Sequence, residues 1–272
     1  MPIKFKEIKN DCYVYEMFSF KPTVYLDNWA LNQFIRMEDV GNKFITLLNN
    51  KNGTLAMSYI GLYEIINRKD KNQILKISQF VDKIDCVFFD ANSKRVIRKE
   101  KNGIVNFSPC LSEKFMETCA LYSGNPTKPL NVSQVILKMK NEIDENPFVY
   151  NEQFEEQLMP LINKIRKDTK AFKLSQKRFK SKIKKRDLEK KYTEEIDQFF
   201  IDFIVNQKNI TMQDKEWRDM FHIIVPLAYC DFVLLDKRWL AFAKCTGLKY
   251  PDIAKTYSQR NIDEFFNNLN EF

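Results

Sequence analysis

The architecture of this chain is indicated first by one short segment, Thr23-Val24-Tyr25-Leu26-Asp27. Its β-branched and apolar residues are typical of a buried strand, and the strand ends in an acid. The residues that follow have a helical pattern, with Leu31, Phe34 and Ile35 on one face. The segment therefore predicts a strand that leads into a helix, with a carboxylate at the carboxyl end of the strand.

Further segments repeat this alternation of strand and helix in both directions along the chain. We predict strands at 54–57, 86–89 and 232–235, a strand pair around 13–15, and helices at 58–67, 71–83, 194–206, 211–229, 237–244 and 260–270. Strands that alternate with helices favour an α/β fold, with a short parallel sheet between two helix layers. Only six glycines and nine prolines in 272 residues argue against a loop-rich barrel.

The middle of the chain has a different character, because it is highly charged and helical. We therefore predict a discontinuous domain formed by residues 1–90 and 194–272, with residues 91–193 as a mostly helical, basic insertion. Within the insertion, apolar residues at spacings of seven, seven and four indicate an amphipathic helix with a basic outer face: Ile165, Phe172, Phe179 and Ile183.

The positive charge is concentrated in this insertion. Between residues 164 and 191 there are fourteen Lys or Arg and three acids, whereas the whole chain carries a net charge of only +8. Such asymmetry favours a polyanionic partner, either nucleic acid or, less well, a membrane surface. A solvated face is the ordinary alternative. The candidate nucleic-acid-binding residues are Lys173, Lys177, Arg178, Lys180, Lys182, Lys184, Lys185 and Arg186.

Zinc and disulfide chemistry are not favoured by the sequence. Its six cysteines include no C-x-x-C pair, and His222 is the single histidine. The chain opens without a charged-then-apolar leader and contains no apolar run of membrane-spanning length. We therefore expect free thiols, a cytoplasmic location and no membrane partner.

Four acids form the candidate catalytic and metal-binding set. Asp27 and Asp236 each end a predicted strand, and ligands gather outside the carboxyl ends of strands in open α/β sheets. Glu64 and Asp219 lie among apolar residues on predicted helices, where a buried carboxylate is costly unless a cation compensates it. Oxygen-only ligands select Mg²⁺ or Mn²⁺, and two such ions about 4 Å apart could activate a water and stabilise a leaving oxygen.

Three segments around these acids resemble the PIN-domain nucleases. They are Val24-Tyr25-Leu26-Asp27-Asn28, Ala56-Met57-Ser58 through Glu64, and Arg218-Asp219-Met220-Phe221-His222 through Asp236-Lys237. In that family the first acid closes the first strand, the second lies on an early helix, the third opens a late helix and the fourth follows the next strand. The resemblance covers roughly residues 23–90 and 194–270.

The resemblance implies a metal-dependent endoribonuclease of the two-metal type that leaves a 5′-phosphate. Beside the acids, Asn28 and Ser58 are candidates for supporting roles, and His222, one turn after Asp219, could orient that carboxylate. Family members form dimers, and some are inhibited by a partner protein; the residues of this chain decide neither point. Two positions differ from the family pattern: Asn28 and Leu234 stand where hydroxyl residues are common.

Each acid also has an ordinary structural alternative. Asp27 could cap the following helix, Glu64 could be an ion-paired helical residue, and Asp236 could belong to a charged surface turn. Asp219 could pair with Lys215, Arg218 or His222, and His222 could be a satisfied buried residue. Asp231 is a candidate fifth metal ligand, although its place just before a strand suits a turn or a supporting role better.

The sequence leaves two other functions open. The differences at Asn28 and Leu234 motivate a non-catalytic RNA-binding or assembly protein on a degenerate PIN-like fold. A DNA-directed nuclease is the other alternative, since backbone contacts rarely distinguish the two sugars without a mapped contact to the 2′-hydroxyl.

Overall fold

The computed structural model describes residues 3–9, 12–103, 111–112, 122, 132–145, 160, 163, 167, 182–184, 191–206 and 214–272. Its strands are β1 (Ile3–Lys9), β2 (Cys12–Met17), β3 (Thr23–Leu26), β4 (Thr54–Ser58), β5 (Cys86–Phe89), β6 (Phe232–Leu234) and β7 (Lys255–Tyr257). Its helices are α1 (Asn28–Arg36), α2 (Glu38–Asn50), α3 (Tyr59–Ile66), α4 (Lys71–Val81), α5 (Ser93–Lys101), α6 (Val132–Glu145), α7 (Thr193–Asn206), α8 (Asp214–Tyr229), α9 (Lys237–Cys245) and α10 (Ile262–Glu271).

Five strands form one parallel sheet in the order β5-β4-β3-β6-β7. The chain moves outward from β3 to β4 and β5, and then returns to place β6 on the other side of β3. Leu26 pairs with Leu234 at this reversal. In open α/β sheets a crevice forms outside the carboxyl ends of the strands at such a point. The α/β prediction is confirmed, and the sheet runs parallel as expected.

Alternating residues of the strands face two separate cores, as the pleat of a strand requires. Val24 and Leu26 belong to a core shared with α1, α2, α3, α4, α6 and α10, whereas Tyr25 belongs to a core shared with α5, α7, α8 and α9. Helices therefore flank the sheet on both faces, which is consistent with a three-layer α/β/α arrangement.

Phenylalanine rings pack against one another in both cores. In the first core the rings of Phe34 and Phe44 lie 5.0 Å apart, and in the second the rings of Phe200 and Phe242 lie 4.2 Å apart. Full burial of one such side chain contributes roughly 1.5–3 kcal/mol. The strands and helices that carry the candidate acids are thus held from both faces of the sheet.

A buried polar contact anchors the end of α8 to two neighbouring helices. The carboxylate of Glu100 on α5 accepts hydrogen bonds from Oγ1 of Thr193 at 2.6 Å and from the hydroxyl of Tyr229 at 2.7 Å. Because Glu100 is buried, these donors compensate the cost of removing its carboxylate from water. The contact fixes the helix that carries Asp219.

The segment predicted as an insertion is described only in part. Two of its helices pack onto the body: Val96 of α5 belongs to the second core, and Val135 and Ile136 of α6 belong to the first. The boundaries at 91 and 193 stay a prediction.

The strand pair predicted around residues 13–15 is confirmed, since β1 and β2 form a separate antiparallel pair. Within the described residues, no helix is both long enough and apolar enough to cross a bilayer. Cys86, Cys230 and Cys245 are free thiols.

Candidate active site

The crevice between β3 and β6 brings Asp27 and Asp236 together. Asp27 directly follows β3, Asp236 lies two residues after β6, and the backbone N–H of Asp27 donates to the carbonyl oxygen of Leu234 at 3.0 Å. The two predicted strands are neighbours, so both carboxylates lie at the same edge of the sheet.

Glu64 and Asp219 reach this edge from opposite helix layers. Glu64 lies on α3 and Asp219 near the start of α8, and both line one small cavity together with Asp27. The cavity holds about 30 Å³, enough for one or two water-sized occupants. Its other lining residues are Tyr25, Leu26, Asn28, Leu31, Met57, Ser58, Gly61 and Ile65.

The carboxylate of Asp27 lies in an unfavourable environment for a negative charge. Its pKa is raised from 3.8 to about 7: burial is the largest cause, the charges of Asp236 and Asp219 add to it, and the backbone N–H groups of Asn28 and Asp236 partly offset it. Neighbouring acids and burial are the two causes that favour the neutral form of a carboxyl group. A bound cation would attract the carboxylate and so oppose both effects on its pKa.

The phenol of Tyr25 is affected by the same cluster of acids. Burial raises the pKa of its phenol well above the ordinary value, and the charges of Asp27, Glu64 and Asp219 raise it further. One buried hydroxyl therefore lies within electrostatic range of three of the four acids. Asp236 joins the set through its effect on the pKa of Asp27.

Helix capping positions three of the site residues. Asp27 accepts the backbone N–H of Asn28 at 2.7 Å at the start of α1, and Asp236 accepts that of Trp239 at 2.9 Å at the start of α9. Ser58 accepts the N–H of Gly61 at 2.9 Å and so begins the helix that carries Glu64. The capping alternative for Asp27 thus applies, and the same contacts orient the carboxylates at the crevice.

In Asp27 and in Asp236, the oxygen that accepts the capping hydrogen bond is Oδ1. Within the described part of the chain, however, no three His, Cys, Asp or Glu side chains are already set at the spacing of a single metal site. The structure brings the four acids to one crevice without ordering them as a ligand cage.

An ion pair closes the site on the side of α8 and α9. Arg238 donates to the carboxylate of Glu216, and its guanidinium also lies 5.3 Å from the centre of the Trp239 ring. Arg238 therefore joins the first turn of α8, which leads to Asp219, to the first turn of α9, which follows Asp236.

Asp231 lies at the opposite edge of the sheet, which argues against its prediction as a fifth ligand. It precedes β6, is only 4% exposed, and accepts hydrogen bonds from the N–H and Oγ1 of Thr23 at 2.8 and 2.9 Å. Tyr250 and Lys21 contact its other oxygen. These donors already compensate its charge, so Asp231 joins the amino ends of β3 and β6 instead.

Asn28 and Ser58 lie beside the acids, and their supporting roles stay a prediction. Nδ2 of Asn28 donates to Glu64 at 3.3 Å, and Ser58 lines the cavity. The side chain of His222 lies outside what the structure describes, as do those of Lys215 and Arg218, so the alternatives for Asp219 stay open.

Most of the basic arm also lies outside the described residues: Lys173, Lys177, Arg178, Lys180, Lys185 and Arg186, together with Ile165, Phe172 and Phe179. Lys182 and Lys184 are described and exposed. Between them, Ile183 is not helical: its N–H donates to the carbonyl oxygen of Thr246 at 2.9 Å, and its side chain packs against the second core. The predicted amphipathic helix is therefore wrong at Ile183, where a contact with the end of α9 replaces the helical one.

Two residues at the site were missed from the sequence. Tyr25 was assigned only to a buried strand, and alternation along β3 gives no sign that its face lies beneath the acids. Arg68 donates to the side-chain oxygens of Asn28 and Asn32. The four-residue spacing of Glu64 and Arg68, which is that of a helical ion pair, was the signal that could have found it.

Comparison with other proteins adds no assignment to this geometry. No protein-family model, no curated protein and no solved structure matches the chain.

Proposed function

We propose that this protein is a metal-dependent nuclease that hydrolyses phosphodiester bonds in RNA, and that it cuts within the strand. The observation that carries the proposal is the meeting of Asp27, Glu64, Asp219 and Asp236 around the crevice between β3 and β6. The four acids come from distant parts of the chain. A purely structural role would not require three of them to line one cavity with the fourth near Asp27.

The chemistry of these residues fits hard divalent cations. All four side chains offer carboxylate oxygens, which suit Mg²⁺ or Mn²⁺ better than zinc. The raised pKa of Asp27 supports the same conclusion, because mutual repulsion and burial are costs that a cation removes. Bound there, such cations would activate a water and stabilise the leaving oxygen of a phosphodiester.

The residues of the chain would hold and orient this centre. Caps at α1, α3 and α9 fix Asp27, the helix of Glu64 and Asp236, and the ion pair of Arg238 and Glu216 fixes the start of α8. Asn28 links two of these parts, because its amide donates to Glu64 while its backbone N–H caps onto Asp27.

Two features of the sequence support a nucleic-acid substrate. Fourteen Lys or Arg between residues 164 and 191 suit a polyanion, whose phosphates would make binding strongly dependent on salt. The order and context of the four acids resemble the PIN-domain nucleases, which favours RNA over DNA and favours a three-layer fold of that type.

The test is cleavage of matched single-stranded and structured RNA and DNA with Mg²⁺ or Mn²⁺ and with a chelator. Asp27→Asn and Asp236→Asn keep good helix caps and remove only the charge. We expect each to lower the rate by about 10²–10³-fold, the equivalent of several kcal/mol of lost transition-state stabilisation. Asp231→Asn, at the other edge of the sheet, is the matched control and should stay active.

Equal activity of the wild type, Asp27→Asn and Asp236→Asn would remove the assignment. Cleavage of the DNA oligonucleotides alone would support phosphodiester hydrolysis but would make DNA the substrate instead of RNA.

A non-catalytic RNA-binding protein is the second candidate. It is favoured by one observation, namely that Asp27 and Asp236 already serve as helix caps. This candidate requires RNA binding in the presence of a chelator, no cleavage with either metal, and no binding of Mn²⁺ that depends on the four acids.

A further inference from the structure

Arg68 hydrogen-bonds Asn28, one of the residues that line the carboxylate cavity. It follows α3, and its guanidinium donates to the side-chain oxygens of two residues in the first half of α1, to Asn32 at 2.6 Å and also to Asn28. Nε2 of Gln73 donates to the same oxygen of Asn32 at 2.9 Å. These amides hold the guanidinium in one orientation.

The hydrogen-bond partners of Arg68 among the described residues are neutral amides. Its guanidinium is half-buried, and burial lowers its pKa, the nearby charge of Glu64 raises it and the charge of Arg36 lowers it. A guanidinium has five N–H donors, of which these contacts use two. An oriented fork of this kind is suited to bidentate binding of a phosphate.

A line of polar residues leads away from the cavity along α1. Asn28, Asn32 and Arg36 are spaced by four residues each, so they share one face of the helix. The rise of a helix separates the first and the last of them by about 12 Å along the axis. Arg68 donates hydrogen bonds to the first two, and the charge of the third lowers its pKa.

A groove begins where this line ends. It encloses about 280 Å³ between α1, α2 and α4 and is lined by Arg36, Lys76 and Lys83, with one acid, Glu38. Positive side chains thus continue from the edge of the acid cavity, over Arg68 and Arg36, into a groove with excess positive charge. This is the opposite helix layer from α5, α7 and α9.

We infer that a nucleic-acid strand held at the carboxylate cavity continues along α1, with Arg68 binding a phosphate beside the cleaved bond and Arg36, Lys76 and Lys83 binding the backbone beyond it. This inference rests on the proposed function, and it names a binding path separate from the basic arm. Arg68 and Arg36 would position the substrate backbone and would take no part in the chemical step.

A structural role for Arg68 makes a different prediction. If the guanidinium only neutralises Glu64 and joins α3 to α1, its removal would lower stability and leave the salt dependence of RNA binding unchanged. Phosphate contacts, by contrast, set that dependence, at about 0.7 in the slope of log K against log salt for each contact with a single strand.

The test is a salt titration of the binding of a short, labelled single-stranded RNA. All variants are made in an Asp236→Asn parent, so that cleavage does not interfere. We expect Arg68→Gln to weaken binding about tenfold and to lower the slope by about 0.7. Arg68→Lys keeps the charge and should keep the slope, with a smaller loss of affinity because the fork is lost.

Arg36→Gln should lower the slope in the same way, and because this side chain is exposed the variant does not threaten the fold. Arg98→Gln removes an exposed arginine from α5 in the opposite layer and should change neither quantity. Unaltered affinity and slope in the Arg68 and Arg36 variants would overturn the inference while the proposed function stands. Absence of RNA binding by the parent, together with absence of cleavage by the wild type, would overturn both.

Discussion

The two ends of β6 carry aspartates in opposite situations. Asp231, at the amino end, is surrounded by donors: the N–H and Oγ1 of Thr23 and the groups of Tyr250 and Lys21. Asp236, at the carboxyl end, has its cap but also faces Asp27 across the crevice, and through Asp27 the rest of the acid cluster. Only four residues separate the two aspartates in the chain.

The comparison shows that burial beside apolar residues does not by itself identify a functional acid. A carboxylate compensated by hydrogen-bond donors is complete and stabilises the fold, as Asp231 does. A carboxylate whose pKa is raised by burial and by neighbouring acids is incomplete without a cation or a proton, as Asp27 is. The surroundings of each acid, and not its own sequence context, separate the two classes.

The largest expected effect on stability comes from the removal of Asp231 at the amino end of β6. Asp231→Ala would leave the buried N–H and hydroxyl of Thr23 without their acceptor, and we expect a loss of about 3 kcal/mol. Asp236→Ala should cost only about 1 kcal/mol, the value of one helix cap. Urea unfolding of both variants measures the difference. A smaller loss for Asp231→Ala than for Asp236→Ala would contradict the contrast between the two ends of β6.

The carboxyl end should respond to pH in the opposite sense from an ordinary salt-bridged acid. Because the pKa of Asp27 is raised from 3.8 to about 7, the folded protein binds this proton more tightly than the unfolded chain does. Its contribution to stability is therefore complete at low pH and is lost as the pH rises through about 7.

Asp27→Asn removes this loss, so in chelator it should be more stable than the wild type at high pH and equal to it at low pH. At about 1.4 kcal/mol per pKa unit, this shift changes the free energy of unfolding by at most about 4 kcal/mol. Because Asp27 is partly exposed to solvent, we expect a gain of about 2 kcal/mol. Thermal unfolding across the pH range measures it. A variant that is less stable at high pH would show that the acids do not repel one another.

The smallest expected effect concerns Ser58, which caps the helix that carries Glu64. Ser58→Ala removes the cap of α3 and should cost about 1 kcal/mol. It should also weaken Mn²⁺ binding by a small factor, because it loosens the helix that positions Glu64.

Asn92→Ala removes the cap of α5 in the opposite layer and is the matched control. It should cost a similar amount of stability without altering Mn²⁺ affinity. Equal Mn²⁺ affinity in both variants would show that capping at Ser58 does not reach the site.

The strands and acids could be predicted from local pattern, but their neighbours could not. The segments around Asp27 and Asp236 have clear strand and cap signals, so both strands and the placement of their acids follow from the sequence. That β6 pairs with β3, and that Asp231 meets Thr23 over 208 positions, depends on strand order, which local pattern does not encode.

Other elements escaped because their signals are weak or belong to distant contacts. The strand β7 has three residues and begins with Lys255, so it lacks an apolar run. Only Met37 separates the end of α1 at Arg36 from the start of α2 at Glu38, and no proline or glycine marks this junction. The position of Ile183 is set by Thr246, far along the chain.

Calorimetric titration of the metal-free protein with Mn²⁺ tests the central claim most directly, at a pH above that at which Asp27 ionises. We predict binding by the wild type and by Asp231→Asn, and at least tenfold weaker binding by Asp27→Asn and Asp236→Asn. Binding that is absent from the wild type, or equal in all four proteins, would contradict a shared cation site at the carboxyl ends of β3 and β6.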